Sequence, residues 1–326
     1  MRIFHKIHGK LNWSKRHYFS LILGVLALGY LSSAVYHSVK PMPQGLNYTG
    51  PLHHANVKFI ADQTYIDAQG KQQIDQHIFD QILQLIKEAK TTIVIDMFLF
   101  NKEVGDSTVQ HRELTEQLTQ ALINQKVVNP ELDIKFITDP INSVYGGTNP
   151  EQYRKLRQGG IEVIETNLTP LRASNPTWSG FWYLCCQDAG NNAEKGWLSN
   201  PFGKDPITIR SYLNLFNFKA NHRKTIVADT AEGWKTIVTS ANPHDGSSRH
   251  SNVALMVTGP VAADVLKSEQ AVAMMSGGTT PFVAMGKLDG DVNEAQVQVL
   301  TEKAIYDAIL KMLESAKAND QIDLAM

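Results

Sequence analysis

The alternation of hydrophobic and polar residues divides most of the chain into short strands and amphipathic helices. Apolar runs bounded by polar residues predict strands at 57–62, 92–100, 132–139 and 161–166. Apolar positions spaced three and four apart predict helices at 78–90, near 111–125, near 150–158 and at 264–275. Because strands and helices alternate through short connections, the pattern predicts an α/β lobe with a mixed, mostly parallel sheet flanked by helices.

Residues 168–219 interrupt this alternation. The segment contains Trp178, Trp182 and Trp197 among Gly, Asn and Pro, and it shows no clear period. Such a long loop in a compact domain is usually functional. Two interpretations stay open: a satellite core beneath a long loop, or an aromatic rim for a lipid or a membrane interface.

The N-terminus contains an almost uncharged run, HYFSLILGVLALGYLSSAV, at 17–35, close to the length that a spanning helix needs. Basic residues precede it at Arg2, Lys6, Lys10, Lys15 and Arg16, and only Lys40 follows closely. The positive-inside rule therefore predicts a single-pass anchor in the cytoplasmic membrane, with the N-terminus (1–16) inside and the remainder outside. The alternative is a cleaved signal peptide, with Ser32 and Ala34 as the small residues before the cut.

An internal repeat suggests a duplicated lobe. A shift of 227 aligns IFDQILQLIKEAKTTIVID (78–96) with IYDAILKMLESAKANDQID (305–323), and Asp96 matches Asp323. The expected division is a cytoplasmic N-terminus at 1–16, an anchor at 17–39, a tether at 40–55, a first lobe at 56–275, a linker at 276–299 and the start of a second lobe at 300–326. Because Met326 falls just as the second lobe begins, these residues alone are expected to be half of an enzyme.

Composition narrows the classes of partner. The net charge of −1 gives no global basic field, so a nucleic-acid partner is not expected. The two cysteines, Cys185 and Cys186, are neighbours, and one peptide unit brings their Cα atoms closer than a disulfide normally allows, so no disulfide framework is expected. Neither C-x-x-C nor H-E-x-x-H occurs, and no metal or cofactor is predicted.

The chemistry concentrates in a predicted β-hairpin, NHRKTIVADTAEGWKTIVTSAN (221–242). Its candidate residues are His222, Lys224, Asp229, Ser240 and Asn242. Alternate side chains of a strand share a face, so His222 and Lys224 point the same way. A register with Asp229 opposite Lys235 would place Asn242 and Ser240 across from them. A buried ammonium needs an anion, and a bound phosphate would provide one.

These residues resemble the H-x-K-x-x-x-x-D motif of the phospholipase D superfamily and its following Ser-x-Asn. The resemblance covers roughly 56–326 and implies two α/β lobes that each give one such motif to a shared site, without a metal. It implies His222 as the nucleophile that forms a phosphohistidine, and Lys224 and Asn242 as phosphate ligands. Ser240 would be a supporting phosphate contact, and Asp229 the structural or orienting carboxylate of the catalytic motif.

One position departs from the family pattern. Many members carry Asn-x-Glu after the hairpin, and that glutamate orients a catalytic histidine, whereas this chain has Asn252, Val253 and Ala254. Asp96 is the candidate replacement, because it interrupts the apolar strand TIVIDMFLF, where an unpaired carboxylate is costly. The alternative is a satisfied buried aspartate or a cap at the end of the strand.

The sequence therefore predicts a membrane-anchored phosphodiesterase or phosphatidyltransferase that acts on phospholipid, similar to the cardiolipin-synthase-like branch. The expected partners are the membrane and a second lobe of the same fold, from elsewhere in the chain or from a dimer partner. A nuclease of the same superfamily and a non-catalytic lobe are the alternatives. Hydrolysis and transfer to an alcohol stay open, because water and alcohols compete for one intermediate.

Overall fold

The structure, a computed structural model, describes residues 14–280 and 295–323. Arg2, Lys6, Lys10, Met326 and most of the predicted linker therefore lie outside the described residues. The chain divides into two compact units. The helical unit comprises Met1–Pro41, Arg172–Asn191 and Ile209–Lys219, and the sheet unit comprises Met42–Leu171, Asn192–Thr208 and Ala220–Met326.

The strands and helices alternate along the sheet unit. The strands are β1 (His53–Ala55), β2 (Val57–Ile66), β3 (Gln72–Asp75), β4 (Thr92–Met97), β5 (Asp133–Thr138), β6 (Glu162–Glu165), β7 (Lys224–Thr230), β8 (Gly233–Thr239), β9 (Asn252–Thr258) and β10 (Ala295–Val297). The helices of both units are α1 (Lys15–Val39), α2 (Ile78–Glu88), α3 (Leu114–Val128), α4 (Glu151–Gln158), α5 (Pro176–Cys185), α6 (Ile209–Leu215), α7 (Pro260–Met275) and α8 (Lys303–Ser315).

Eight strands form one mixed sheet in the order β3-β2-β9-β8-β7-β4-β5-β6. Only β4–β5 and β5–β6 are parallel pairs, and the other neighbours in this sheet are antiparallel. The predicted mixed α/β architecture is confirmed, but the sheet is not mostly parallel. Two residues join β7 to β8, and the longer segment 240–251 joins β8 to β9 without an α-helix, so the chain returns antiparallel each time.

Helices cover both faces of the sheet. Ile93, Ile95 and Ile226 point into a core that α2, α3 and α4 complete. Val94 and Val227, at the alternate positions, point into a second core with α7. Strands buried on both faces read as continuous apolar runs, which is why TIVID and KTIVA lack the alternation of a half-exposed strand.

Several sequence predictions need correction here. Residues 168–219 are not one long loop, since they contain α5 and α6. The strand expected after the repeated helix does not form among the described residues, because 316–323 contain turns and irregular backbone. Cys185 and Cys186 are joined by a disulfide despite their adjacency, although this bond closes no loop and provides no framework.

Helix α1 supports the predicted N-terminal anchor in length and composition. Within the described residues it alone is long and apolar enough to cross a membrane, with 25 residues and a mean hydropathy of 1.8 over its most apolar window. Its side chains are not buried by the protein. An apolar N-terminal helix of this kind fits a single-pass anchor or a signal sequence.

Candidate active site

The candidate site lies where β7 begins and β4 ends. The two strands are antiparallel and Lys224 pairs with Met97, so the start of β7 meets the carboxyl end of β4. The parallel neighbour β5 ends at the same edge. In open α/β sheets, this edge is where ligands bind.

The side chains of His222 and Lys224 both contact Phe98, the residue after β4. The His222 ring lies 4.4 Å from the Phe98 ring, centroid to centroid, and the Lys224 Nζ lies 4.9 Å from the same centroid. Lys224 is 5% exposed and its Nζ donates to the His222 carbonyl at 2.8 Å, whereas His222 is exposed. Phe98 thus fixes an accessible imidazole beside a largely buried ammonium.

The protonation states of this pair follow from their surroundings. Burial, and then the charge of Lys224, lowers the pKa of His222. Burial lowers the pKa of Lys224 to about 8, although Asp96 and Asp139 act in the opposite direction. At neutral pH the imidazole is therefore uncharged, while the neighbouring lysine remains mostly cationic.

The hairpin register differs by one residue from the predicted one. Asp229 pairs with Trp234, and Lys235 pairs with Ala228. The difference arises because two residues form the turn before Gly233, whose φ of 106° is one that glycine readily adopts. Continuing this register places Lys224 beside Thr239 rather than beside Ser240.

The Ser-x-Asn pair is divided between two environments. The Ser240 Oγ accepts from the Val253 N–H at 3.1 Å and lies 2.9 Å from Asn252 Oδ1, so Ser240 ties β9 to the hairpin. The Asn242 Oδ1 accepts from the Leu99 N–H at 3.1 Å, next to Phe98. This bond directs the amide oxygen of Asn242 to the backbone beside Phe98.

Asp229 lies at the opposite end of β7 from Lys224. Its carboxylate accepts from the Thr91 N–H at 2.9 Å, the Thr92 N–H at 2.7 Å and the Thr91 hydroxyl at 2.8 Å. Four residues of strand lie between Lys224 and Asp229, so the two Cα atoms are roughly 17 Å apart at the usual rise. The described contacts of this carboxylate are all with residues at the start of β4, and its role stays a prediction.

Asn221, immediately before His222, is held by two buried carboxylates. Its amide Nδ2 lies 2.9 Å from both oxygens of Asp96 and 3.1 Å from the Thr166 Oγ1. Its backbone N–H donates to the Asp139 Oδ2 at 2.6 Å. Asp96 therefore contacts the residue beside His222, and the described contacts do not bring it to the imidazole itself.

Both carboxylates behind Asn221 have raised pKa values. Burial, and then Glu269 on α7, raises the pKa of Asp96. Burial raises the pKa of Asp139 to about 7, while backbone donors including Asn221 oppose that shift. The Glu269 Oε1 accepts from the Thr225 hydroxyl at 3.0 Å and lies 3.5 Å from Arg223. An Asp96 side chain that holds its proton fits this environment better than a second buried anion.

The family's glutamate position is filled by Ala254, for a reason that the fold makes clear. Ala254 is 2% exposed and belongs to the core between the sheet and α2. A glutamate there would place a carboxylate among Ile60 and Ile237, where an unpaired charge is costly. The acidic groups of this site come instead from β4, from the residue after β5 and from α7.

A cavity of about 440 Å³ opens beside the pair. Its lining includes His222, Lys224, Thr239, Glu269 and Ile305. The described residues contain no group of three or more His, Cys, Asp or Glu side chains that could hold a metal ion. The cavity has room for a phosphate and part of its substituents. It lies next to His222, the one exposed residue of the H-x-K-x-x-x-x-D motif.

Four contributors were not singled out in the sequence: Phe98, Asn221, Asp139 and Glu269. Asp139 carried a usable signal, because it ends the apolar run LDIKFITD as Asp96 interrupts TIVIDMFLF. Phe98 and Asn221 look like ordinary residues next to a strand. Glu269 looks like a solvated helix position, although it is 1% exposed.

The sheet unit is therefore an α/β lobe with a histidine–lysine site at one edge of a mixed sheet. No protein-family model and no curated protein sequence matches the chain. Among its structural neighbours is a phospholipase D family member.

Three solved structures represent these neighbours. Nuc from Salmonella typhimurium, a phospholipase D family member, is 14% identical, with a TM-score of 0.36 over 67% of this chain and 94% of its own. NucT from Helicobacter pylori is 12% identical, with a TM-score of 0.34 over 69% and 100%. Phosphatidylserine synthase from Haemophilus influenzae is 16% identical, with a TM-score of 0.33 over 67% and 38%. At these values the substrate has to be argued from this chain's own residues.

Proposed function

We propose that this chain carries one half of the active site of a membrane-anchored phosphodiesterase or phosphatidyltransferase that acts on phospholipid through a phosphohistidine. One observation carries the proposal: an exposed, uncharged His222 and a largely buried cationic Lys224 share the ring of Phe98 on the wall of one cavity. This pairing suits attack on a phosphodiester, because the nucleophile is free of a proton and the cation stabilises the phosphoryl oxygens.

The reaction has two steps. An unprotonated ring nitrogen of His222 attacks phosphorus, a P–N bond forms, the P–O bond to the leaving alcohol breaks, and an acid gives that oxygen its proton. Water or a second alcohol then attacks phosphorus, the P–N bond breaks, and the attacking oxygen returns a proton to the same group. Lys224 and the amide N–H groups of Asn242 would hold the phosphoryl oxygens in both steps.

The second lobe would supply the acid, and helix α8 supports the existence of such a partner. In α2, Ile82, Leu85 and Ile86 are at most 2% exposed against the sheet. The matching positions of the repeat in α8 are 45% exposed at Ile309, 72% at Met312 and 38% at Leu313. We propose that a second lobe of the same fold covers this face as the sheet covers α2.

Phospholipid is the proposed substrate because of the anchor and the charge. Helix α1 would hold the chain at a bilayer, and a net charge of −1 provides no general attraction for a polyanion. The N-terminus would lie on the cytoplasmic side of the cytoplasmic membrane, and the lobe on its outer side. A nucleic acid presents the same phosphodiester group, so it is the alternative that the experiment must separate.

The test uses the full chain in vesicles with a phospholipid that carries ³²P in its phosphodiester. We expect an acid-labile, base-stable label on the protein that His222→Ala abolishes with little loss of stability, since His222 is exposed. His54→Ala, another exposed histidine, is the matched control. Unchanged labelling of His222→Ala would remove His222 from the chemistry, and labelling from a ³²P oligonucleotide alone would replace phospholipid with nucleic acid.

The partner lobe is tested separately. Met312→Glu on α8 should reduce both turnover and the first-step label on His222, because it places a charge in the proposed interface and the second lobe supplies the acid for the first step. Val127→Glu changes an equally exposed apolar residue, 72%, on α3 and should have no effect. Equal turnover of the two variants would contradict the interface.

A further inference from the structure

In the helical unit, α5 runs parallel to the second half of α1. The contacts pair Tyr30 with Thr177, Ala34 with Gly180 and His37 with Tyr183. The Tyr30 hydroxyl donates to the Thr177 carbonyl at 2.9 Å, and the rings of His37 and Tyr183 stack at 3.6 Å. Residue numbers rise together in both helices, so Pro176 lies level with the middle of α1 and Cys185 level with its C-terminal end.

The two helices pack closely because Gly180 has no side chain. A Cβ at this position would come within 2.7 Å of the Ala34 Cβ and 3.1 Å of its Cα. Small residues that let two backbones approach in this way are typical of helix pairs in membranes.

Helix α6 then returns antiparallel to α5. Arg210, near its start, donates to the carbonyls of Cys186 and Gln187. Further along, the Trp178 Nε1–H donates to the Leu213 carbonyl at 2.8 Å, and the Asn175 amide donates to the Phe216 carbonyl at 3.0 Å. The segment 172–191 and α6 therefore form a helical hairpin. The end of this hairpin at Asn175 and Phe216 lies level with the middle of α1.

Charge is confined to one end of this hairpin. Residues 173–187 and 211–218 contain no Asp, Glu, Lys or Arg. At the end level with the C-terminus of α1, the Arg172 Nε–H donates to the Lys40 carbonyl at 2.8 Å, and the Lys219 Nζ donates to the Tyr183 hydroxyl at 2.6 Å. The cations thus form a group at the level where α1 ends.

Buried polar groups in the uncharged part bond within the unit, while four of its apolar side chains face outward. The Ser179 hydroxyl donates to the Asn217 Oδ1 at 2.8 Å. The outward-facing side chains are Phe181 at 48% exposed, Leu184 at 59%, Phe216 at 44% and Phe218 at 61%. Satisfied polar groups and exposed apolar ones are what the hydrocarbon of a bilayer requires.

We propose that this hairpin enters one leaflet of the membrane beside α1, with lipid acyl chains against Phe181, Leu184, Phe216 and Phe218. From Tyr30 to Val39, α1 rises by roughly 13 Å, which is about half of a hydrocarbon core of roughly 30 Å. The hairpin therefore reaches about the middle of the bilayer and returns. Lys40, Arg172 and Lys219 then lie at the level of the phospholipid headgroups, close to their phosphates.

This inference rests on the proposed anchoring by α1. The test has separate readouts for the anchoring of α1 and for the entry of the hairpin into the membrane. In the full chain with Cys185→Ser and Cys186→Ser, single cysteines are introduced by Leu26→Cys in α1, Phe216→Cys and Leu184→Cys in the hairpin, and Val128→Cys in α3. Each variant is labelled with a bimane fluorophore and placed in phosphatidylcholine vesicles whose acyl chains carry bromine at shallow or deep carbons. Bromine quenches a fluorophore that contacts it.

We expect loss of fluorescence at Leu26, Leu184 and Phe216, and none at Val128, which is 78% exposed in the sheet unit. Deep bromine should quench the Phe216 label most, and shallow bromine the Leu184 label. Quenching at Leu26 with none at Leu184 and Phe216 would overturn the hairpin and leave the anchor standing. No quenching at Leu26 would overturn the anchor and the hairpin together. Phe181→Cys replaces either hairpin variant that fails to fold.

Discussion

The amide side chain of Asn221 bonds to both carboxylate oxygens of Asp96, at 2.9 Å each. This contact connects a carboxylate in the middle of a buried strand to the residue before the proposed nucleophile. Asp96 was the candidate for an orienting carboxylate in place of the absent glutamate. We propose an indirect version of that role, in which Asp96 and Asp139 hold Asn221, and Asn221 sets the backbone position of His222.

Asn221→Ala tests this arrangement. The change leaves Asp96 without its amide donor, so the free energy of unfolding should fall by about 1–3 kcal/mol. The kcat should fall as well, because the backbone before His222 loses its side-chain anchor, while KM changes little. Chemical denaturation and steady-state kinetics measure the two effects. Asn200→Ala, in a loop of the sheet unit, is the control, and a stable Asn221→Ala enzyme with full kcat would contradict the role.

The pH dependence of activity should report the paired protonation states of His222 and Lys224. The pKa of His222 is lowered from 6.5, so kcat/KM should rise with pH through a limb below that value as the nucleophile loses its proton. The pKa of Lys224 is about 8, so kcat/KM should fall above it as the phosphate-binding cation is lost.

Lys224→Met isolates the alkaline limb. It should lower kcat/KM by about 100-fold, the usual loss for one donor to a developing anion. The remaining activity should no longer fall near pH 8. Lys195→Met removes an exposed lysine and should keep the parent profile. An alkaline limb that survives in Lys224→Met would assign that limb to another group.

Asp139 should make stability depend on pH. Its folded pKa of about 7 lies above the ordinary 3.8, so the folded state holds the proton more tightly than the unfolded state. Its contribution to stability is therefore fully present below pH 3.8 and is lost as the pH rises through about 7. Asp139→Asn does not titrate, so the unfolding free energy of the parent minus that of the variant should decline across this window.

Denaturant unfolding at several pH values provides that difference. Glu165 and Lys224 are the neighbouring charges that act on Asp139, and they remain in both proteins. Asp205→Asn, at an exposed carboxyl away from Asn221, is the control. A flat difference for Asp139→Asn would show that Asp139 is ionised in the folded protein throughout the window.

The sequence predicted the parts of the fold that depend on periodicity and missed those that depend on tertiary contacts. Helix α2 and strand β2 begin where the apolar pattern begins. Helices α5 and α6 were missed because their apolar residues surround the helix axis rather than form one stripe. The motif identified His222 and Lys224, but Asn221 has no pattern of its own, and only the meeting of β4, β5 and β7 shows what it binds.

Asp229 belongs to the catalytic motif, but its carboxylate contacts residues far from His222. Its carboxylate holds the Thr91 and Thr92 N–H groups and the Thr91 hydroxyl, at the end of β7 away from Lys224. Asp229→Ala should therefore lower the free energy of unfolding by roughly 1–3 kcal/mol, because the donors that start β4 lose their acceptor. Thermal or denaturant unfolding measures that loss.

The chemistry of the folded Asp229→Ala protein should be intact. At a temperature where the variant stays folded, its ³²P labelling of His222 and its kcat should match the parent, because no contact of Asp229 reaches His222 or Phe98. Asp229→Asn keeps one acceptor oxygen and should recover part of the stability. A loss of kcat that persists in the folded Asp229→Asn protein would show that this carboxylate acts on the site and not only on the start of β4.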